Sequence, residues 1–424
     1  MKKLSKIKYL EFYIFSIIMM AYGLFLDSPY GIYQGLLKIL TSSSILVSDY
    51  IEIGGMGASF MNAGFMLFIS LIFAEKSGTP ITGALIAGLF TLTGFSFFGK
   101  NILNSLPLMI GVYLYTRIMG LSIVNYMQVM CFVTGISPLV SVLIFGFDFS
   151  LIWGISLGFL AGIIIGLIVI PISSSFVKFH DGYSLYNIGF TLGVIGIIYA
   201  GILRMFDREI PSTYIVYEGN DLYSFLFILV FCLGLVIYGI FKNKGLGAYK
   251  EILIQSGKLI SDYTIDSNKY LVMINMGLTG LIAILFVKFS NGVFNGPILG
   301  GIFTIIGFAA FGKHPRNVLP IMMGVFIAST VNKYEPSSTT AILTGLFSTT
   351  IAPIAGEFGF IAGIFAGFIH KAVATNTGFI HAGLNLYNNG LAGAFVAAIL
   401  LPLFRNFKER RESWLRKEIR QEKS

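Results

Sequence analysis

The sequence predicts an all-α polytopic membrane protein made of two inverted-topology repeats, each with about seven apolar segments. Three observations predict it: an apolar composition, an internal duplication and an uneven placement of lysines. Of 424 residues, 55% are hydrophobic and only 12% charged, with a mean hydropathy of +0.82. Soluble domains carry about 25% charged residues, so a soluble enzyme is excluded.

The duplication shows at two offsets. Sliding the chain by 213 positions places Phe98-Gly99-Lys100, Asn104, Leu106-Pro107 and Gly111-Val112 on Phe311-Gly312-Lys313, Asn317, Leu319-Pro320 and Gly324-Val325. Fifteen of the 30 positions from Gly83 to Val112 match, where composition alone gives roughly two or three. The same offset pairs Ser48-Asp49-Tyr50 with Ser261-Asp262-Tyr263, and Asn62 with Asn275. At an offset of 201, His180-x-Gly182-x-x-Leu185-Tyr186-Asn187-x-Gly189 falls on His381-x-Gly383-x-x-Leu386-Tyr387-Asn388-x-Gly390. The chain therefore divides into a first membrane repeat (1–212), a second (213–404) and a basic tail (405–424).

A span needs about 20 apolar residues, and the elements follow in order. The run 9–26 comes after Lys2, Lys3, Lys6 and Lys8 with no small-residue cleavage site, so it reads as a retained first span. Next come 53–74, then 81–98 after the breaker Thr79-Pro80, then 102–119 after Phe-Gly-Lys, with Pro107 inside it. The runs 126–147, 150–172 and 183–203 complete the repeat. Counterparts lie at 222–241, 271–287, 297–311, 317–331, 339–355, 358–371 and 383–404. An odd number per repeat turns the second copy upside down. The lysines agree: residues 27–52 hold Lys38 alone, whereas the matching stretch holds Lys242, Lys244, Lys250, Lys258 and Lys269. With basic clusters at both ends of the chain, the positive-inside rule predicts a multi-pass protein of the cell membrane with both termini cytoplasmic.

The net charge of +9 sits largely in those clusters, so the bilayer surface is the expected partner and nucleic acid is not. Cys131 and Cys232 lie in apolar runs without CxxC spacing, and the four histidines are scattered, so neither a metal nor another cofactor is expected. Gly94-x4-Gly99-Lys100 and Gly307-x4-Gly312-Lys313 satisfy a phosphate-loop pattern, but Asn101 and His314 stand where Ser or Thr should hold magnesium. Lys100 and Lys313 are either interfacial lysines that snorkel to headgroups or members of a symmetric pathway. The proline after Asn104 and Asn317 leaves a re-entrant element and a kinked hairpin both open. In the His…Leu-Tyr-Asn element, Tyr186, Asn187, Tyr387 and Asn388 supply uncharged donors and acceptors, and His180 and His381 stand seven residues before the asparagines. Helix caps and buried hydrogen bonds are the competing explanation for these. Asn62 and Asn275 lie mid-segment, where an amide needs a neighbouring helix or a solute. Gly158-x3-Gly162-x3-Gly166 and Gly359-x3-Gly363-x3-Gly367 are packing stripes.

The Phe-Gly-Lys…Asn-x-Leu-Pro and Leu-Tyr-Asn elements resemble a family of bacterial multi-pass membrane proteins described only as a domain of unknown function, over nearly the whole chain. That resemblance implies membrane location and no activity. Thr79-Pro80-Ile81-Thr82-Gly83 and Leu185-Tyr186-Asn187 are similar to elements of urea transporters, which are also inverted repeats with half-spanning helices. The second repeat departs from that pattern, reading Gly292-Val293-Phe294-Asn295-Gly296.

Inverted repeats predict a permease or channel with its path at the repeat interface. The acidic residues nearest the apolar runs, Glu11, Glu52, Asp148 and Glu357, all sit at run ends, which favours a small polar, uncharged solute. A non-transporting scaffold is the alternative, as is an intramembrane enzyme on lipid or peptide. No HExxH, GxSxG or paired-carboxylate signature supports the enzyme, and none is expected. Oligomeric state is not readable.

Overall fold

The computed structural model describes residues 8–421 apart from 211, 260, 332 and 334. Lys2, Lys3, Lys6 and Lys423 of the basic termini, and the side chains of Arg416, Lys417 and Arg420, lie outside the described residues. The first repeat contains α1 (Tyr9–Leu26), α2 (Pro29–Thr41), α3 (Tyr50–Gly54), α4 (Met56–Lys76), α5 (Gly83–Phe95), α6 (Ile102–Ile118), α7 (Met127–Val133), α8 (Ser137–Phe145), α9 (Leu151–His180) and α10 (Asn187–Met205). The second contains α11 (Leu222–Asn243), α12 (Tyr249–Leu253), α13 (Tyr263–Asp266), α14 (Lys269–Phe289), α15 (Gly296–Phe308), α16 (Pro315–Thr330), α17 (Thr339–Ser348), α18 (Ala352–Phe358), α19 (Phe360–Ile380) and α20 (Asn388–Gln421). Each helix thus has its mate ten numbers later.

Among the described residues, nine helical stretches are long and apolar enough to cross a membrane, with α7–α8 and α17–α18 each forming one interrupted stretch. Large apolar side chains face outward: Ile152 is 78% exposed, Phe289 77% and Ile361 83%. Water would penalise such a surface at about 25 cal/mol per Å², and lipid does not. The chain is a multi-pass membrane protein.

At the centre lie α5 and α15. Each has 13 residues, about 20 Å, which is shorter than a bilayer core of about 30 Å, and each is buried along almost its whole length. Glycines bring their backbones together. A Cβ on Gly94 would lie 2.7 Å from the Gly300 carbonyl oxygen, one on Gly83 2.3 Å from that of Ala310, and one on Gly296 2.5 Å from that of Phe97. The start of α5 therefore meets the end of α15, and the reverse. The two helices run antiparallel, so the axis relating the repeats is perpendicular to them. That is the geometry of inverted repeats.

Around this pair the packing is duplicated: α1 on α4 and α11 on α14, α6 on α9 and α16 on α19, with α10 meeting α20 on the axis. The glycine stripes do what their spacing predicts. Gly162 and Gly166 of α9 seat Pro107 and the Leu108 carbonyl of α6, and Gly363 and Gly367 of α19 seat Pro320 and the Ile321 carbonyl of α16.

Two features differ from the sequence expectation. The Phe-Gly-Lys turns do not close packed hairpins, because α6 leaves α5 to lie along α9. The run 126–147 is also not one helix. A 3-10 turn at Thr134–Ile136 interrupts it, and Thr349–Ile351 interrupts its mate. Pro138 and Pro353 follow at the start of the next helix, and a proline has no N–H to continue the ladder behind it. The Gly135 and Thr350 carbonyls accept instead from Leu386 N (2.8 Å) and Leu185 N (2.9 Å) of the opposite repeat.

The basic elements gather at one end of the bundle. Glu11 pairs with Lys269 (2.6 Å), Glu357 with Lys258 (3.3 Å) and Lys408 (3.0 Å), and Asp181 with Arg405. The end holding residues 42–49 and 212–221 is the opposite one.

Candidate functional site

The site is built where the broken elements of the two repeats converge. After α5 the chain turns at Ser96–Asn101, and after α15 at Ala309–His314, with Gly99 (φ +92°) and Gly312 (φ +94°) in the left-handed region that glycine favours. Irregular backbone at this depth needs protein partners for its carbonyls, and four asparagines supply them. Asn62 donates to the carbonyls of Ser96 (2.7 Å) and Lys100 (2.9 Å), and Asn275 to those of Ala309 (2.6 Å) and Lys313 (2.8 Å). Asn104 donates to the Gly99 carbonyl (3.0 Å) and Asn317 to that of Gly312 (2.9 Å), while their Oδ1 atoms accept from Asn101 N and His314 N. These amides hold the turns.

What the turns present is lysine. Lys100 and Lys313 are fully buried, so the snorkelling reading is excluded. Lys100 donates to the hydroxyl of Tyr387, and Lys313 to those of Tyr186 and Thr349 (2.7 Å). Each amine also lies near a phenylalanine ring, at 5.0 Å (Phe95) for Lys100 and 5.0 Å (Phe308) for Lys313. The ring quadrupoles favour a cation there. No carboxylate among the described residues is within ion-pair distance of either amine.

The tyrosines owe their positions to the histidines and asparagines beside them. Asn187 Nδ2 donates to the Ser173 carbonyl (3.0 Å), so its Oδ1 is free to accept from His180 Nε2 (3.0 Å), and His180 Nδ1 in turn accepts from Ser184 N. The network therefore assigns His180 the neutral Nε2–H tautomer. Asn388, Ala374, His381 and Asn385 repeat the pattern. These four side chains lock the α9–α10 and α19–α20 breaks so that Tyr186 and Tyr387 meet the opposite repeat. A Cβ on Gly390 would lie 2.9 Å from Gly189 Cα, so the breaks touch on the axis.

Two cavities flank the convergence. The first, about 200 Å³, is lined by Phe132, Tyr186, Asn187, Leu259, Phe308 and Tyr387 among others. The second, about 280 Å³, is lined by Leu46, Phe98, Leu343, Phe347, Leu386 and Asn388 among others. They are mates. Leu46 corresponds to Leu259, Phe98 to Phe311, Leu386 to Leu185 and Asn388 to Asn187, all of which line them. Phe347 and Asn389 belong to both. The first cavity extends towards the basic end through Leu259, and the second towards the opposite end through Leu46.

The family described as "Protein of unknown function (DUF1576)" matches residues 28–205 and again residues 228–406. The chain belongs to this family. No curated protein matches, and no solved structure matches. In this DUF1576 protein the twelve candidate residues thus separate by task. Lys100, Lys313, Tyr186 and Tyr387 form two cross-repeat pairs, Asn187 and Asn388 line the cavities while bracing the breaks, and His180, His381, Asn62, Asn275, Asn104 and Asn317 position the rest.

Further residues of the DUF1576 site emerge only from the fold. Asp49 and Asp262 meet the N-termini of the central helices of the opposite repeats, Asp49 fully buried and Asp262 half-buried; the sequence expectation for acidic residues near the apolar runs rested on Glu11, Glu52, Asp148 and Glu357 and passed over these two. Asp49 accepts from Gly296 N (3.2 Å), Ile51 N (2.9 Å) and Tyr217 N (2.9 Å), and Asp262 from Gly83 N (3.0 Å) and Thr264 N (2.9 Å). A negative group at a helix N-terminus meets the positive end of the macrodipole. Repetition of Ser-Asp-Tyr was the available signal. Lys371 has no basic mate, since Ile170 stands at its counterpart.

If the lysine contacts join the repeats, a double-mutant cycle between Lys100→Met and Tyr387→Phe should give a coupling of about 1–3 kcal/mol in unfolding experiments. Additive effects of the two changes would show that the contact carries no energy of its own.

Proposed function

We propose that this protein is a permease for a small polar solute, whose path runs between the two cavities across the repeat interface. The observation that carries the reading is their pairing. Two cavities lined by equivalent residues of inverted repeats lie towards opposite ends of the bundle and are separated by Phe347. Alternating access needs two such vestibules related by an in-plane axis. Thr91 supports it further: the residue lines the first cavity, and its hydroxyl is buried without a hydrogen-bond partner among the described residues, a state that a polar solute reaching it would relieve. The constriction is aromatic, with Phe95 stacking on Phe347 at 5.3 Å and meeting Tyr387 edge-on at 4.8 Å. By the positive-inside rule the basic end faces the cytoplasm, both termini with it, in the cell membrane.

The test uses proteoliposomes. Gln128 and Leu343 are equivalent positions lining the first and second cavities. With Cys131 and Cys232 replaced by Ala, Gln128→Cys should react with an impermeant thiol reagent from the basic side only, and Leu343→Cys from the other side only. Stopped-flow light scattering with urea, acetamide, glycerol and organic-acid salts should show faster relaxation than in empty vesicles, with Phe347→Ala faster still. Labelling of neither cysteine, together with relaxation equal to that of empty vesicles for every solute, would sink the permease reading.

A further inference from the structure

The two cavities are equivalent in backbone but not in chemistry. Against the second lie Lys371, Thr340, Thr344, Thr375 and Asn388. The positions matching Lys371 and Thr344 in the first repeat are Ile170 and Val129. Lys371 is only 5% exposed, and its amine makes no hydrogen bond or ion pair among the described residues, in contrast to Lys100 and Lys313. The second cavity has no carboxylate in its lining. An amine in a largely buried side chain without a counter-charge is costly. The Thr344 and Thr375 hydroxyls already donate to the Thr340 and Lys371 carbonyls (2.8 and 2.7 Å), and Asn388 Nδ2 to that of Ala374 (3.1 Å), which leaves the Thr340 hydroxyl and the second Nδ2 proton of Asn388 as donors to a guest. Phe98, Leu343, Phe347 and Leu386 give the cavity an apolar stretch of wall, with Tyr214, Ser338 and Asn389 completing the polar part. Its volume of about 280 Å³ lies below that of pockets for drug-sized ligands, about 300–1,000 Å³.

We propose that the second cavity binds a small monocarboxylate, with the carboxylate on Lys371 and the Thr340 hydroxyl and a short apolar chain against Phe98 and Phe347. One unpaired cation matches one negative charge. The apolar wall selects an organic acid over chloride or phosphate. This replaces the uncharged solute expected from the sequence, and it rests on the permease reading only for what becomes of the anion after binding.

The experiment is isothermal titration calorimetry on the purified full-length protein in detergent, comparing butyrate with its neutral isostere butyramide and with chloride and phosphate. Butyrate should bind at least about tenfold more tightly than each of the others. Lys371→Met and Lys371→Gln should each lose at least about tenfold in butyrate affinity, and Thr340→Val should lose less. Equal binding of butyrate and butyramide would overturn the proposal on the unaltered protein, whether or not the Lys371 variants fold. Binding of chloride or phosphate as tight as butyrate would overturn the carboxylate assignment. Unchanged affinity in Lys371→Met would overturn the role of the amine. The two readings fail separately. Butyrate binding without flux would leave the site standing and remove the permease, whereas flux of neutral solutes with no preference for butyrate would do the reverse.

Discussion

Asp49→Ala is expected to lower the unfolding free energy by about 3–5 kcal/mol, among the largest effects for a single side chain outside the hydrophobic core. Asp49 is fully buried, and its carboxylate is the acceptor for the first N–H of α15, for Ile51 and for Tyr217. Hydrogen bonds to a charged group contribute about 1.5–3 kcal/mol each, and donors left buried and unpaired add their desolvation cost. Asp262 makes the equivalent contact to Gly83 from a half-buried position, where water can replace it, so Asp262→Ala should cost about 1–3 kcal/mol. Thermal unfolding in detergent, with Asp49→Asn as a partial rescue, ranks the three. Equal losses at the two aspartates would show that burial does not set the strength of these caps.

A single methyl group at Gly324 should be comparably damaging. Its Cβ would stand 2.0 Å from the Ile364 carbonyl oxygen and 2.9 Å from Phe368 N, both backbone atoms that no rotamer change can move. The α16–α19 pair would have to separate, and overpacking of this kind costs about 1–3 kcal/mol or more. Gly324→Ala should therefore destabilise by at least about 3 kcal/mol. At Gly201 a Cβ meets nothing within 4 Å, so Gly201→Ala should instead stabilise by up to about 1 kcal/mol through helix propensity. If both changes shift the melting temperature alike, the close approach of α16 and α19 is not what limits stability.

The spans were legible because apolar runs and their breakers are local properties. The run 102–119 becomes the helix Ile102–Ile118, and 9–26 becomes Tyr9–Leu26. Inversion was legible from an odd number of runs per repeat and from lysine counts in equivalent loops. The site was legible only in its residue types. Lys100 and Tyr387 are 287 positions apart, and no periodicity joins them. The interrupted helices escaped because Thr134-Gly-Ile-Ser-Pro138 and Thr349-Thr-Ile-Ala-Pro353 align at a third offset of 215, in the stretch of chain between the two blocks that define the duplication. Asp49 lies in a loop by sequence, yet that loop enters the bundle and pairs with residues 213–217. Lys371 was hidden by the symmetry itself, since a search for matched positions passes over the unmatched one.

The crossed capping of α5 and α15 bears on how the chain is made. The acceptor for Gly83 N lies 179 positions downstream, so at about 5–20 residues per second the ribosome needs roughly 9–36 s to deliver it. Through that interval α5 has its local Thr82 cap but neither the Asp262 acceptor for Gly83 N nor its antiparallel partner α15. It is too short to span the bilayer alone and has glycines on the face that α15 will cover. The first half of the newborn chain must therefore wait, loosely inserted, for the second. Its maturation is an assembly of two membrane-embedded halves rather than a completed fold followed by another, and the nascent first repeat is the stage most open to membrane chaperones and proteases.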